Sequence, residues 1–475
     1  MTKKIILSTV AAATLMTTSA SALTLEERIA KLESIIATQQ STIEKLSVTS
    51  SEELSADVEE LDERLEVIET RSYTDKIQLG LGMRVEANNV KTTYADGSNP
   101  AKEDIIWRTK LNINMKSKIA DNLKFSGRLS TYKNWGDSNP NTTAYATIDS
   151  RQGRTPDNSS AVYLERAYLD YIVNPGSTVP VIVTMGRQPS SDGPSYQIKE
   201  GMSRKGTYDA LAFDGAADGI VLTANLNKVV SGTSARIAYG IPSNTSNNGS
   251  PTATVVDTKV TGIFIDKSFD GIGAENLFQI YHVMAKDFNA DSSGGAGAKD
   301  VNVGDFDVSG LMFEVSNMNH FDFFAHYARS VAKPNGKSML NNGAHYGLLS
   351  TNSAITGGST ESKSGNAVWL GARYNTTSDW SVGAEYNKGS KNWFSFTYAP
   401  SDPMNKLAAR GTAIEVYASK KVNKNANIRL GMLNIDYDYT GSAEHLGAPM
   451  AITSAFGTGV IKEKKNAYLT FNVLF

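Results

Sequence analysis

The sequence predicts an all-β fold: a transmembrane antiparallel β-barrel of about 16 strands, preceded by a short α-helical coiled coil. Three observations lead there. Segments of about ten residues alternate apolar and polar side chains, the connections between them alternate between long and short, and the last strand is amphipathic and ends on an aromatic residue.

Lys3 and Lys4 precede an apolar run from Ile5 to Met16, and Ala20-Ser21-Ala22 offers small residues for cleavage. Residues 1–22 therefore read as a signal peptide cut after Ala22, and the chain as exported. That run is too short to span a bilayer, and no later segment reaches the roughly 18 apolar residues a spanning helix needs, which excludes a helical membrane protein. With no cysteine, neither disulfides nor thiolate-bound metals hold the fold. Net charge of -2 and a mean hydropathy of -0.29 would suit a soluble protein, but the same averages arise when one face of every strand is apolar and the other wet.

Residues 23–72 read as a coiled coil. Ile29, Leu32, Ile36, Gln39, Ile43 and Leu46 form one heptad seam, and Leu54, Val58, Leu61, Leu65 and Ile68 a second. Between them Ser50 and Glu53 make a capping box, so a new helix begins there. Two readings stay open: assembly of identical chains, or a hairpin that packs its own two seams together. The isoleucine and leucine core favours two strands over three in an isolated parallel coil.

From residue 73 the period is two. In "KIQLGLGMRV", Ile77, Leu79, Leu81, Met83 and Val85 share one face, and Gln78, Gly80, Gly82 and Arg84 the other. The same reading places strands near 77–87, 104–119, 122–136, 161–174, 179–187, 218–227, 234–241, 257–267, 276–288, 306–317, 321–332, 366–375, 379–389, 411–421, 426–438 and 462–475. Long connections such as 137–160, 188–217 and 333–365 alternate with short ones such as "ADN", "NMN" and "VNKN". Outer-membrane barrels keep short periplasmic turns and long extracellular loops, so both ends of the barrel fall on the periplasmic side. Leu469, Phe471, Val473 and Phe475 share one face, and this ending resembles the C-terminal signature by which the barrel-assembly machinery recognises outer-membrane barrels; a merely amphipathic last strand is the other reading. Trp107 and Trp135 near the outer strand ends, with Phe321, Phe323, Trp380 and Phe475 near the inner ends, suit interfacial girdles.

A sixteen-stranded barrel leaves an aqueous lumen, so the expected role is passive diffusion of small solutes. The connection 188–217 joins the fifth and sixth strands, and by resemblance to sixteen-stranded porins, whose corresponding connection folds into the lumen, residues 186–219 are the candidate constriction loop; its Gly and Pro content suits sharp bends inside a tube, and an ordinary surface loop is the other reading. It carries Arg187, Asp192, Lys199, Glu200, Arg204, Lys205, Asp209 and Asp214. The lumen face of the first four strands carries Arg84, Arg108, Lys110, Lys116, Lys118, Lys124, Arg128 and Arg166 against Glu86 and Asp170. Acids on the loop facing bases on the wall would set up a transverse field with mild anion preference. The alternative is that these bases lie near strand ends, solvated or bound to lipopolysaccharide phosphate.

No enzyme is expected. His282, His320, His326, His345 and His445 lack metal spacing, there is no G-x-S-x-G elbow, and "DGAADG" at 214–219 reads as a turn into the sixth strand. No cofactor, metal or nucleic acid is implied. The second class of reading is a structural barrel, a tether or sheath for a periplasmic or redox partner.

The stretch "TMGRQPSSDGPSYQIKEGMSRKGTYDALAFDGAADGIVL" resembles a family of porin-like outer-membrane proteins of Gram-negative bacteria, grouped as a domain of unknown function, through G-R-x-P-S-x-D-G-P, R-x-x-T-Y and D-x-x-x-D-G. The resemblance implies a barrel in the outer membrane, contacting lipid and lipopolysaccharide. It transfers no substrate. Trimeric phosphate-selective porins share an N-terminal coil, and a homo-oligomer, a trimer by analogy, is implied. No matching arginine ladder is present, so phosphate selectivity is not carried over.

Overall fold

The computed structural model describes residues 29–38, 77–99, 105–135, 162–202, 204, 206–215, 217–243, 257–290, 301–341, 343–397, 402–442 and 446–474. The chain divides into two units, 1–76 and 77–475. In the first, residues 29–38 form a helix with Ile29 and Ile36 exposed and Leu32 half-buried. The expected signal peptide and the rest of both heptad seams lie outside the described residues.

The second unit is a closed antiparallel barrel of sixteen strands. They are β1 (Gln78–Tyr94), β2 (Ile105–Ala120), β3 (Leu123–Asn134), β4 (Tyr163–Ile172), β5 (Val181–Arg187), β6 (Asp218–Asn225), β7 (Thr233–Ser243) and β8 (Thr258–Ser268). Then follow β9 (Glu275–Lys286), β10 (Gly304–Met318), β11 (Phe321–Pro334), β12 (Lys363–Asn375), β13 (Trp380–Gly389), β14 (Gly411–Asn423), β15 (Ala426–Tyr437) and β16 (Ile461–Leu474). Each pairs with its sequence neighbours, and β16 returns to β1 with Arg84 opposite Asn472 and Val85 opposite Phe471. Closure leaves no sheet edge to find a partner.

Every strand read from the sequence is present, with ends shifted. The main difference is β1, which runs on to Tyr94 rather than stopping near 87. Its last seven residues, "NNVKTTY", put polar side chains on both faces around Val90 and hide the period, yet the ladder to β16 holds them.

The alternation is inverted relative to a soluble sheet. On β14, Ile414 and Val416 are exposed while Glu415 and Tyr417 are buried; on β15, Leu430 and Met432 are exposed while Arg429 is buried. Outward positions are apolar, and inward ones carry charges and rings. Inward rings use glycines of the adjacent strand as slots: a Cβ on Gly383 or Gly431 would sit 2.4 and 2.3 Å from the rings of Tyr417 and Tyr468.

The interior is not an open tube. At the end carrying the long loops, Phe306, Trp369, Trp393, Phe394, Phe396, Leu211 and Leu407 form a buried apolar cluster. Two inserted connections build it together, Phe213–Asp214 pairing in parallel with Phe396–Thr397. Another long connection folds on itself as a sheet of Ser338–Asn341, Ala344–Gly347 and Ser350–Asn352. The expected lumen survives as a cavity of about 1490 Å³ at the end carrying the short turns, lined among others by Lys116, Asp322, Arg373 and Lys424.

Trp369 is fully buried and its ring lies 4.5 Å from Phe324 and 5.4 Å from Tyr196. Trp369→Ala should cost about 3–5 kcal/mol, read as a lower denaturant midpoint of the refolded barrel, with the sixteen-strand circular dichroism signal retained.

Candidate functional site

Residues 188–217 turn inward rather than over the surface. Arg166 on β4 starts the turn: its Nη2 donates to the Ser191 carbonyl at 2.5 Å and to Ser191 Oγ at 2.9 Å. Gly193 lets the two limbs of the loop cross, because a Cβ there would lie 2.0 Å from the Tyr208 carbonyl oxygen. Ser195, with φ 70°, then opens the helix Tyr196–Glu200, which Gly201 closes at φ 65°.

This helix ends against arginines. Within the chain, Gly201 N–H donates to Ile198 O at 3.2 Å and Met202 N–H to Gln197 O at 3.3 Å, and side chains of the wall take the remaining carbonyl capacity. Arg373 Nη1 donates to Ile198 O at 2.7 Å, Arg429 Nη1 donates to Lys199 O at 3.2 Å, and Asn427 Nδ2 donates to Glu200 O at 3.5 Å. The Glu200 carboxylate is clasped by Arg84 and by Arg429 Nη2 at 3.0 Å. Lys199 Nζ reaches Glu415 Oε1 at 3.2 Å.

Across from the helix stands the wall of β1–β4. Arg108 Nη2 meets Glu86 at 3.1 Å, and Arg84 meets the same carboxylate at 3.5 Å. Arg128 Nη1 lies 3.2 Å from Glu165 and 3.6 Å from Asp192 of the loop. Lys110 lies 4.9 Å from the centre of the Tyr132 ring. Between helix and wall remains a cavity of about 60 Å³, bordered by Arg84, Lys110, Asn112, Arg128, Asp192, Gln197, Lys199 and Glu200. It shares Asn114, Arg128, Gln197 and Glu200 with the larger cavity below.

A second buried group ties in the connection between β13 and β14. Lys406 Nζ donates to Glu385 Oε2 at 2.6 Å and to Glu415, while Tyr468 donates to Glu415 Oε1 at 2.5 Å. Burial alone would lower the Lys406 ammonium, but Glu385 and Glu415 outweigh it and hold it well above the usual lysine range. Burial pushes the neighbouring Asp402 carboxyl up, opposed by Lys406.

Of the loop residues named from the sequence, Asp192, Lys199 and Glu200 meet the wall. The others do not. Arg187 is the last residue of β5 and shares the outward face of Met185, pairing with Asp218 at 2.8 Å, because alternation along β5 turns it away from the lumen. Asp209 and Asp214 are buried but face other partners: Asp209 accepts from His326 and Asp214 accepts the Asp192 backbone N–H at 2.9 Å. Arg204 borders the large cavity, and Lys205 lies outside the described residues.

On the wall, Arg84, Arg108, Lys110, Arg128 and Arg166 are brought together. Lys116 lines the large cavity, and Lys118 sits at the rim with Asp121 at 2.5 Å, both too far along β2 to reach the constriction. Lys124, opposite Lys118, is exposed at the same rim. Asp170 accepts from Thr184 at 2.6 Å. Leu469 and Phe471 are exposed and Val473 half-buried on the outward face of β16; Phe475 lies outside the described residues.

The sequence reading missed three things. Glu165 is the extra residue of a bulge opposite Arg128 and Leu129, so it points inward together with Arg166. No alternation rule reveals that. Glu415 and Arg429 were legible, each being a charge between outward apolar residues. Third, Ser195 Oγ meets His326 Nε2 at 2.9 Å and His326 Nδ1 meets Asp209 Oδ1 at 2.6 Å. The connectivity is that of a nucleophile relay. Ser195 is 0% exposed, however, and its hydroxyl also reaches Glu314 at 2.8 Å, so it stands as an anchor of the loop.

Among the described residues around the constriction, nine cations (Arg84, Arg108, Lys110, Arg128, Arg166, Lys199, Arg373, Lys406 and Arg429) stand with seven carboxylates (Glu86, Glu165, Asp192, Glu200, Glu385, Asp402 and Glu415). The excess is smaller than the first four strands suggested, since the bulge adds Glu165 and the other acids come from the inserted connections and from β13 and β14. Lys406→Met should leave Glu385 buried without its cation and cost about 3–5 kcal/mol, read as a lower unfolding midpoint; Lys363→Met, on an exposed pair, should leave the midpoint unmoved.

No curated protein matches the chain in sequence. Among solved structures it is similar to Salmonella typhi OmpF in complex with daunomycin, at 14% identity over 85% of this chain and 99% of that one, with a TM-score of 0.46. It is also similar to Pseudomonas putida OprB in a high-pH structure, at 11% identity over 86% and 96% with a TM-score of 0.48. Vibrio cholerae OmpT, folded in vitro, matches at 12% identity over 84% and 97% with a TM-score of 0.44. A family model described as a protein of unknown function, DUF3373, matches residues 100–475, and since that is most of its length the chain belongs to this family.

Proposed function

We propose that the protein is an outer-membrane porin through which small hydrophilic solutes and ions diffuse passively. The observation that carries this reading is the charged helix Tyr196–Glu200, held against the arginine wall of β1–β4 inside a closed barrel. A tube of sixteen strands has room for solute, and a loop folded into it sets the size limit. The inverted burial supports a membrane setting: Leu430, Met432, Leu469 and Phe471 stand exposed outward, where lipid would cover them. With the export signal read from residues 1–22, that membrane is the outer one.

The passage runs from the large periplasmic cavity along β1–β3, where Lys110 and Arg128 border its narrowest part. The small excess of cations there favours anions mildly. The exposed face of β16 serves recognition by the assembly machinery, and the heptads of residues 23–72 assemble identical chains.

A second reading, a plugged structural barrel that tethers a partner, is favoured by the apolar cluster filling the long-loop end.

Planar-bilayer recording separates the two. The porin reading expects stepwise conductance, a reversal potential of anion sign in a salt gradient, and a shift toward cations on replacing Lys110 and Arg128 by Gln. Removal of Ser190–Arg204 should raise conductance several-fold. Bilayers that stay silent with correctly folded protein, before and after that removal, would establish the plugged barrel. Deleting residues 23–72 should abolish oligomers on native gels while single-channel conductance persists.

A further inference from the structure

Three consecutive contacts fasten the inserted loop to the barrel wall: Asp209 Oδ1 to His326 Nδ1 at 2.6 Å, His326 Nε2 to Ser195 Oγ at 2.9 Å, and Ser195 Oγ to Glu314 Oε2 at 2.8 Å. His326 belongs to β11 and Glu314 to β10, whereas Ser195 and Asp209 belong to opposite limbs of the loop. Asp209, Ser195 and His326 are at least 99% buried, so water does not reach the two His326 contacts, while Glu314, 6% exposed, borders the large cavity.

The hydrogens can be counted. Three hydrogen bonds need three hydrogens. A neutral imidazole supplies one, the serine hydroxyl supplies one, and two ionised carboxylates supply none. The string is therefore one proton short unless it binds an extra one. Whether that proton sits on the imidazole, on Glu314 or on Asp209, the total is the same. The remaining bonds at the acids do not change the count: Leu211 N–H donates to Asp209 Oδ1 at 2.9 Å, and Gln197 Nε2 donates to Glu314 Oε1 at 2.8 Å.

We propose that this string is a proton-dependent latch: one bound proton fastens the Ser195 and Asp209 limbs of the constriction loop to the barrel wall, and its loss at higher pH leaves two lone pairs facing each other and loosens that attachment. The inference rests on the porin reading for its consequence, since the helix that Ser195 opens carries Lys199 and Glu200 into the passage.

The surroundings leave the string to settle its own proton. Tyr281 on β9 faces Asp209, and Gln279 Oε1 accepts the Asp209 backbone N–H at 3.2 Å. Beyond Gln279 lie Asp266 and Arg236, already paired with each other at 2.5 Å. On the other side the Trp369 ring, 4.8 Å from His326, separates it from the Lys406 and Glu385 pair. Glu314 borders the large cavity, which gives the proton a route to solvent.

Glu314→Gln tests the count. Its amide supplies the third hydrogen with no bound proton, so the latch of this variant no longer depends on pH. Two measurements on the full-length protein in lipid decide the matter. Conductance of the unaltered protein should rise with pH along a one-proton curve and stay flat for Glu314→Gln. Amide hydrogen exchange across residues 195–215, normalised to the unstructured rate at each pH, should lose protection by tenfold or more at high pH in the unaltered protein alone. Equal pH dependence of exchange in both proteins, or none in either, overturns the latch. A barrel that never conducts but shows the exchange difference keeps the latch and overturns the porin reading instead.

Discussion

Everything inside this barrel follows from one constraint: a charge taken out of water must meet an opposite charge or a full set of hydrogen bonds. Closing the ladder between β1 and β16 encloses a room whose inward positions carry arginines, lysines and glutamates. Those groups cannot stay unpaired once connections fold in. The inserted helix brings Glu200 to Arg84 and Arg429, and Lys406 enters between Glu385 and Glu415. The loops are thus specified by the wall they meet as much as by their own residues.

The same constraint explains why two kinds of filling coexist. Toward the long-loop end the wall is apolar, and Phe306, Trp369 and Phe394 form a core that could belong to a soluble protein. Beside β1–β4 the wall is charged, and the fit is electrostatic, with a small gap left between Lys110, Arg128 and Gln197. A gap persists there because charged groups pack by pairing at fixed distances, whereas apolar groups pack to exclude space.

The loop is joined to the barrel through few atoms of high consequence. Arg166 fixes the inward turn, the arginines Arg373 and Arg429 take the helix carbonyls, and Ser195 and Asp209 meet at His326. Each joins groups distant in sequence, such as Lys199 with Glu415. No local pattern encodes such pairs, which is why Asp209 and Asp214 were assigned to a pore face they do not share.

Much was legible in one dimension. Dyad alternation gave all sixteen strands because a side chain on a strand can point only to two faces. Loop lengths gave the end at which the long connections gather, and counting placed residues 188–217 between the fifth and sixth strands, where the resemblance to porins expected an inserted loop. Arg84, Lys110 and Arg128 could be placed inward by the same parity. What needed three dimensions was wherever parity breaks or chains meet. The bulge at Glu165 turned an outward position inward, and the filling of the lumen by two connections together could not follow from either alone. Periodicity is a property of one chain segment; charge pairing and closure are properties of the enclosed space.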